Sequence, residues 1–461
     1  MTKTVDSTSS AVDTMSQNWP IVKTLIGGTA AIRNAGKTYL PQWPKESDES
    51  YKARLTTATL YPAFKRTVEV LSSKPFSKTP EPSENVPKDM RPWFRDIDLQ
   101  GRNLQAFAYE VMKDCISFGI SGILVDHPKD DVISKRVNGI SSKNDVKAAG
   151  VRPYFVHYPP GTVLGWRTER VNGVDKLIQL RLKETKLVSD GEYGETEVEQ
   201  IRVFVPGAWQ LWQKNEKKEW FLVDEGTTTL KEIPFVAFYG NRTGFMTGES
   251  PLIELAYQNV EHYQSGSDQQ AILHVARVPI LSIIGGDEKS ITVGTSSAVN
   301  LPHGADMKFV EHSGAAIGAG RQSLLDLEER MRQTGAELLV LQPGQITATQ
   351  VHSENEANKC ALQRITENFE DALDQCLQFM ADWVGETEGG NVELFKDFGA
   401  ASLSDASAQL LLQTNQSGKI SDQTLISEFK RRGILAADLD FDDEQERISE
   451  QGPALGTVSE E

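Results

Sequence analysis

The sequence predicts an α+β chain, on three observations. Apolar residues recur at helical spacing from Ser47 to about residue 118 and again from residue 250 onward. Between Arg152 and Gly240 the period shortens to β-rich runs set apart by Gly, Asn and Asp. At 461 residues, with 39% hydrophobic and 25% charged side chains, the composition is that of a globular protein and excludes wholesale disorder.

Residues 1–46 read as a polar lead-in punctuated by Pro20, Pro41 and Pro44. Helical spacing follows in Tyr51, Leu55 and Ala58, then Phe64, Val68 and Leu71. A proline-rich linker from Lys74 to Pro92 cannot continue a helix. Leu104, Phe107, Ala108, Val111 and Cys115 predict a helix over 102–118, and the polar stretch from Asp126 to Gly150 reads as a surface loop. The runs 154–156, 177–182, 201–205, 209–212 and 235–239 predict an antiparallel meander. Ser250-Pro251 offers an N-cap followed by proline at the first helical position, opening a helix to about Ala276. Residues 277–317, rich in small residues, predict a compact β insert. Leu324, Leu327, Met331, Thr334, Leu338 and Leu341 form a heptad-like stripe over 321–341. After a polar loop, Ser353-Glu354-Asn355-Glu356 matches a capping box, predicting the longest helix, with Ile365, Phe369, Cys376, Phe379 and Trp383 on its stripe and Gly385 at its end. The last 61 residues predict two helices, from about Ser404 and Ser421, and an acidic tail.

The chain carries 48 Lys+Arg against 65 Asp+Glu, a net charge of −17, which excludes general nucleic-acid adhesion because phosphate binding needs cations to displace counterions. No run reaches 18 apolar residues and residues 1–17 lack an apolar leader core, so neither membrane span nor secretory signal is expected. Three cysteines without close spacing fit a reducing compartment.

Most tempting motifs fail on context. Ala31 to Thr38 (AIRNAGKT) matches a relaxed phosphate-binding loop, but Pro41 and Pro44 prevent the helix whose N-terminus would face the anion. Asp397-Phe398-Gly399 lacks the rest of a kinase. The seven histidines show no zinc spacing, and the glycines at 314, 318 and 320 form no dinucleotide fingerprint. No catalytic constellation, metal site or cofactor is expected.

The order of parts (helix, small β insert, returning helix, polar loop, long helix) resembles the portal, or head–tail connector, proteins of tailed double-stranded DNA bacteriophages. The likeness rests on Gly240-Asn241-Arg242-Thr243-Gly244, on Gly248 to Leu252 and the helix ending His274 to Pro279, on Glu311 to Ala316, on Arg152-Pro153-Tyr154 with Pro159 and Gly165-Trp166-Arg167, and on Tyr51 to Leu55. It runs in order over most of residues 20–450. The resemblance implies a wing (1–248 and 353–400) containing the β subdomain, stem helices (249–276 and 318–341), a clip (277–317), a channel loop (342–352) and a helical crown (401–461). It implies a homo-oligomeric ring, dodecameric in virions, at one capsid vertex. Double-stranded DNA would pass through it, with the terminase large subunit, major capsid and scaffolding proteins and a head-completion adaptor as partners. It implies no enzyme activity and no membrane, with assembly in the host bacterial cytoplasm.

On this reading Gln342, Gln345, Thr347, Thr349, Gln350 and His352 would face DNA, and Glu249, Glu254, Glu261 and Asp268 would line the channel with acid, the helix 249–276 having no Lys or Arg. Helices 249–276, 321–341 and 353–384 together hold 15 acidic and 5 basic residues, a net of −10. Two alternatives remain open: another virion structural protein, such as a capsid or tail-scaffold component, and a nucleotide-dependent enzyme using Lys37.

Overall fold

A computed structural model describes residues 4–128, 150–215, 217–277, 280–285, 303–304, 306–310, 315–339, 359–396, 398, 405–431, 435 and 439–450. The chain is mixed α and β with antiparallel sheets.

The first 46 residues are not a polar lead-in. They form α1 (Ser10–Met15), α2 (Trp19–Ile26) and α3 (Gly28–Ala35), which bury Trp19, Ile21, Val22, Leu25 and Ile32. Pro20 does not break α2, because it occupies the first turn, where its missing N–H has no partner to lose. Helix α4 (Asp48–Thr57) starts at Ser47, whose hydroxyl accepts the Ser50 N–H at 3.1 Å, and α5 (Ala63–Ser73) buries Phe64, Val68 and Leu71. The linker contributes a short strand, β1 (Glu81–Pro82). Helix α6 (Leu104–Phe118) is capped by Asn103 and ends at Gly119 in the left-handed region.

Strand β2 (Ile120–Asp126) leaves α6 directly and is buried on both faces, so it lacks the alternation that marks a half-exposed strand. Then come β3 (Tyr154–Tyr158), β4 (Val163–Val171), β5 (Val174–Asp190), β6 (Gly194–Val205), β7 (Ala208–Lys214), β8 (Trp220–Thr227) and β9 (Phe235–Tyr239). The expected single meander is two sheets. Strands β4 to β8 form a five-stranded meander in sequence order. Strands β3 and β9 instead flank β2 in a three-stranded antiparallel sheet, with Gly122 opposite both Tyr158 and Ala237.

A small hairpin, β10 (Asn241–Gly244) with β11 (Thr247–Glu249), precedes α7 (Ile253–Ala276). Helix α7 begins three residues after Ser250, whose hydroxyl donates to the Ile116 carbonyl at 2.8 Å and accepts the Leu252 N–H at 3.2 Å. Strands β12 (Ile280–Ile284) and β13 (Asp306–Val310) pair antiparallel in the expected β insert, and α8 (Ala315–Ala336) returns. The long helix that follows is α9 (Ala361–Val384), and its N-cap is Cys360, not Ser353. Residues 353–358 lie outside the described residues, and Cys360 is extended, so the capping box does not open this helix. Strand β14 (Val392–Glu393) pairs with β1. Among the described residues three C-terminal helices follow, not two: α10 (Asp405–Gln416), α11 (Asp422–Arg431) and α12 (Phe441–Glu450), the last where an acidic tail was expected.

The main core lies where α2, α3, α5, α6 and α9 meet the β2–β9 side of the three-stranded sheet, with Phe64, Phe107, Phe155, Phe238 and Phe369 almost wholly buried. Each such ring contributes about 1.5–3 kcal/mol by leaving water. A second core, with Leu124, Tyr158, Leu180, Leu182, Phe204 and Phe235, fills the space between the two sheets.

Candidate functional site

Helices α7 and α8 run antiparallel: Gln269 Nε2 donates to the Ile317 carbonyl at 3.1 Å, His262 Nε2 lies 3.3 Å from Glu328, and Glu261 lies 3.9 Å from Arg330. They lead to and from the β12–β13 hairpin. The root of α7 is fixed by backbone contact. A Cβ on Gly119 would stand 2.2 Å from the Glu249 backbone, and one on Gly248 would stand 2.3 Å from the Gly119 carbonyl oxygen. Glycine at both positions lets the end of α6 and β11 touch directly.

The seat of α7 is more polar than a core helix requires. Asn259, fully buried, accepts the Phe64 N–H at 3.0 Å and donates to the Tyr61 carbonyl at 2.8 Å, tying α7 to the start of α5. This residue was not singled out from sequence. Its only signal is an amide in the middle of a stripe otherwise occupied by Leu252, Ala256 and Tyr263.

The four acidic residues on or beside this helix do not share one environment. Glu249 ends β11, exposed, opposite Asn241, and Glu254 is exposed in the first turn of α7, where a carboxylate suits the helix dipole. Glu261 meets Arg330 of α8 in a surface pair worth under about 1 kcal/mol. Asp268 instead lies 3.8 Å from Arg54 of α4, and burial raises its carboxyl pKa despite that cation. The channel-loop residues Gln342, Gln345, Thr347, Thr349, Gln350 and His352 lie outside the described residues.

Lys37 sits in a single 3-10 turn after α3, its ammonium 5.5 Å from the centre of the Tyr51 ring, and no strand delivers it. A phosphate cradle needs both strand and following helix, so the geometry does not make one. Ser121, His157 and Asp114 do come together, unforeseen from sequence. However, Ser121 Oγ (2.8 Å) and Asp114 Oδ2 (3.2 Å) both approach the same His157 nitrogen, Nε2. A catalytic relay requires them on opposite ring nitrogens, so the cluster cannot pass a proton from serine. Arg202 bridges the two sheets through Asp126 at 3.0 Å and Glu184 at 2.9 Å. Tyr158 and Gln200 take up further Glu184 positions, and burial, with Asp126 beside it, pushes the Tyr154 hydroxyl up to about 12. Among the described residues no group of three or more His, Cys, Asp or Glu is placed to hold a metal ion, and no helix is long and apolar enough to cross a membrane.

Residues 251–384, which run from the start of α7 to the end of α9, match a family described as a domain of unknown function (DUF4055). No curated protein matches the chain. Among solved structures, a chain from the neck of an empty gene transfer agent particle, computed with C6 symmetry, is 11% identical, with a TM-score of 0.40 over 88% of this chain and 99% of that one. A chain from the virion of the native particle is 13% identical, with a TM-score of 0.40 over 86% and 97%. A chain from the native neck, computed with C12 symmetry, is 12% identical, with a TM-score of 0.38 over 88% and 98%.

Proposed function

We propose that this chain is a subunit of a phage-type portal: a ring in the virion, at the vertex where head and tail join, through which double-stranded DNA passes. The observation that carries the reading is the α7–α8 pair, two helices of 24 and 22 residues running out and back with a two-stranded hairpin between them. Such a pair, repeated about an axis, makes a tube with a β collar. A ring requires head-to-tail contacts whose rotation closes, and an elongated hairpin supplies two different flanks for them.

In this assignment residues 1–248 and 353–400 are the wing, 249–276 and 318–341 the stem, 277–317 the clip, 342–352 the channel loop and 401–461 the crown. Terminase, capsid and scaffolding proteins and a head-completion adaptor are the partners. The acidic residues fit a conduit and not a clamp: Glu254 and Glu261 are exposed on α7, and carboxylates repel the phosphates that lysine or arginine would hold. Asp268, turned toward Arg54, serves the packing of the helix. The uncharged loop side chains Gln342, Gln345, Thr347, Thr349 and Gln350 offer weak, releasable contacts.

Negative-stain images of the purified chain test the reading. Rings with a central hole are expected; a chain that remains monomeric, or builds sheets or tubes without closing, overturns it in favour of another virion component. Deleting residues 343–351 should leave rings intact and impair DNA packaging or retention. ATP hydrolysis abolished by Lys37→Ala would instead favour a nucleotide-dependent enzyme.

A further inference from the structure

The five-stranded sheet has two outlying features of opposite character. The first is an arm. The β4–β5 ladder reaches only Val163↔Leu182 and the β6–β7 ladder only Gln200↔Gln213, whereas β5 and β6 remain paired out to Asp190↔Gly194. From Lys183 to Glu199 the ribbon therefore has no third strand, and it extends about 25 Å at ~3.3 Å per residue. Gly191 and Gly194 close its tip; Gly191 has φ +76°, and a Cβ on Gly194 would stand 2.4 Å from the Asp190 carbonyl oxygen. Tyr193 at the tip is 92% exposed, and Leu187 is 58% exposed. Leu187 stands opposite Glu197, so the two share a face, joined by Glu195 two residues along. Glu195 and Glu197 are exposed and have no ion-pair partner among the described residues. A bare two-stranded ribbon is marginal in water, and this one presents apolar area that only a partner can cover.

The second feature is a groove between the outer face of the same sheet and residues 4–10, with a volume of about 460 Å³ and lined on the sheet side by Arg167, Gln179, Arg181, Gln210 and Trp212. Arg181 spends one nitrogen on the Val5 and Ser7 carbonyls, at 2.8 and 2.7 Å, which fixes its guanidinium at the rim. Arg167 makes no hydrogen bond or ion pair among the described residues. Asp6, which acts on Arg181 across the rim, is taken up by Lys214 at 3.9 Å and by Thr4. Burial and the neighbouring Arg167 charge lower the Arg181 pKa by more than Asp6 raises it, so the two cations that share the groove are only partly offset by a carboxylate.

We propose that in the ring the acidic tip of the β5–β6 arm of one copy seats in the arginine–tryptophan groove of the next. Tyr193 stacks against the indole of Trp212, and Glu195 and Glu197 meet Arg167 and Arg181 in charge-assisted hydrogen bonds. The partner is a second copy because arm and groove are complementary in charge yet lie at different places on one subunit, as a closing head-to-tail contact demands. The charged residues along both open edges, Lys183, Lys186 and Glu199 among them, oppose edge-to-edge strand addition, which leaves docking by the tip. The inference rests on the ring reading.

Cross-linking of the full chain tests it, since Cys115, Cys360 and Cys376 are all buried and leave engineered thiols distinct. Tyr193→Cys combined with Gln210→Cys, treated with a short bismaleimide, should give a ladder of covalent dimers and higher species, which neither single variant gives. Glu195→Arg with Glu197→Arg should lower the ring-to-monomer ratio roughly tenfold, as should Arg167→Glu with Arg181→Glu, and joining both sets should restore it. Rings that form normally in every variant, with no ladder, overturn the docking and leave the portal reading standing. A wild-type chain that forms no ring overturns both.

Discussion

The Arg54 guanidinium sits 4.1 Å from the centre of the Trp43 ring while its Nε and Nη2 donate to the two carboxylate oxygens of Glu46, each at 2.9 Å. A third bond reaches the Pro41 carbonyl at 2.7 Å, and Asp268 of α7 lies 3.8 Å away. One side chain thus fastens the Pro41–Glu46 turn to α4 and faces α7.

Arg54→Met should destabilise the protein by about 3 kcal/mol, because it strands the Glu46 carboxylate, whose side chain is 4% exposed. Glu46→Gln in addition should recover part of the loss. The hydrogen bonds from Arg54 hold the Glu46 pKa below its ordinary 4.5. That contribution is therefore present above pH 4.5 and fades as pH falls toward the lower folded value. Acid titration of the melting temperature should show a steeper fall for the wild type than for Arg54→Met.

Glu370 and Asp374, one turn apart on α9, hold the returning strand by its backbone. Glu370 accepts the Leu394 N–H at 2.5 Å and the Lys396 ammonium at 2.7 Å, and Asp374 accepts the Val392 N–H at 2.9 Å. Burial raises both carboxyl pKa values. A raised folded pKa gives stability that is full below the unfolded value and declines as pH rises through the folded one. Glu370→Gln, which keeps an acceptor for Leu394 and carries no charge, should cost under about 1 kcal/mol at neutral pH. Glu370→Ala should cost about 1–3 kcal/mol, read from denaturant midpoints.

Gly248→Ala should be among the most damaging single changes at the root of α7. Its Cβ would meet the Gly119 carbonyl oxygen at 2.3 Å, a distance backbone must move to relieve. A loss above about 2 kcal/mol is expected, together with increased amide exchange at Gly119 and Glu249, whereas Gly266→Ala, with open space around it, should be neutral or stabilising.

Because Ser121 and Asp114 share one nitrogen of His157, a fluorophosphonate probe should leave Ser121 unlabelled in the folded protein. Stoichiometric labelling, lost in Ser121→Ala, would refute that geometry.

Much of the helical half was legible because one apolar stripe per helix is a strong local pattern. Leu327, Met331 and Leu338 are buried as their spacing implies, as are Ile365, Phe369, Cys376 and Phe379. Errors arose where local and tertiary rules competed. Strand β2 is not legible in the sequence because burial on both faces erases its alternation and it follows α6 with only Gly119 between. The helices α1 to α3 leave little trace in the sequence because each is eight residues or shorter, and such helices are held by packing and not by propensity. The capping box at Ser353 outscored the cap actually used, since a thiol is an unusual N-cap: Cys360 Sγ accepts the Gln363 N–H at 3.4 Å. As for the candidate site, the acidic content of α7 could be counted from sequence, but the turning of Asp268 toward Arg54 could not, because it depends on where α4 packs.

The pairing of β1 with β14 joins Ser83 to Asn391, 308 residues apart, and α9 lays Phe369 against Phe238 and Phe76. None of these contacts can form until the ribosome has released residues beyond the α7–α8 pair. At ~5–20 residues per second, about 15–60 seconds separate synthesis of Ser83 from synthesis of its partner. From the synthesis of β9 until α9 has emerged, the apolar side of β2 and β9 lacks that covering helix. The nascent chain is therefore a natural client for chaperones, and a product terminated before α9 is expected to be degraded, not to assemble as a shortened subunit.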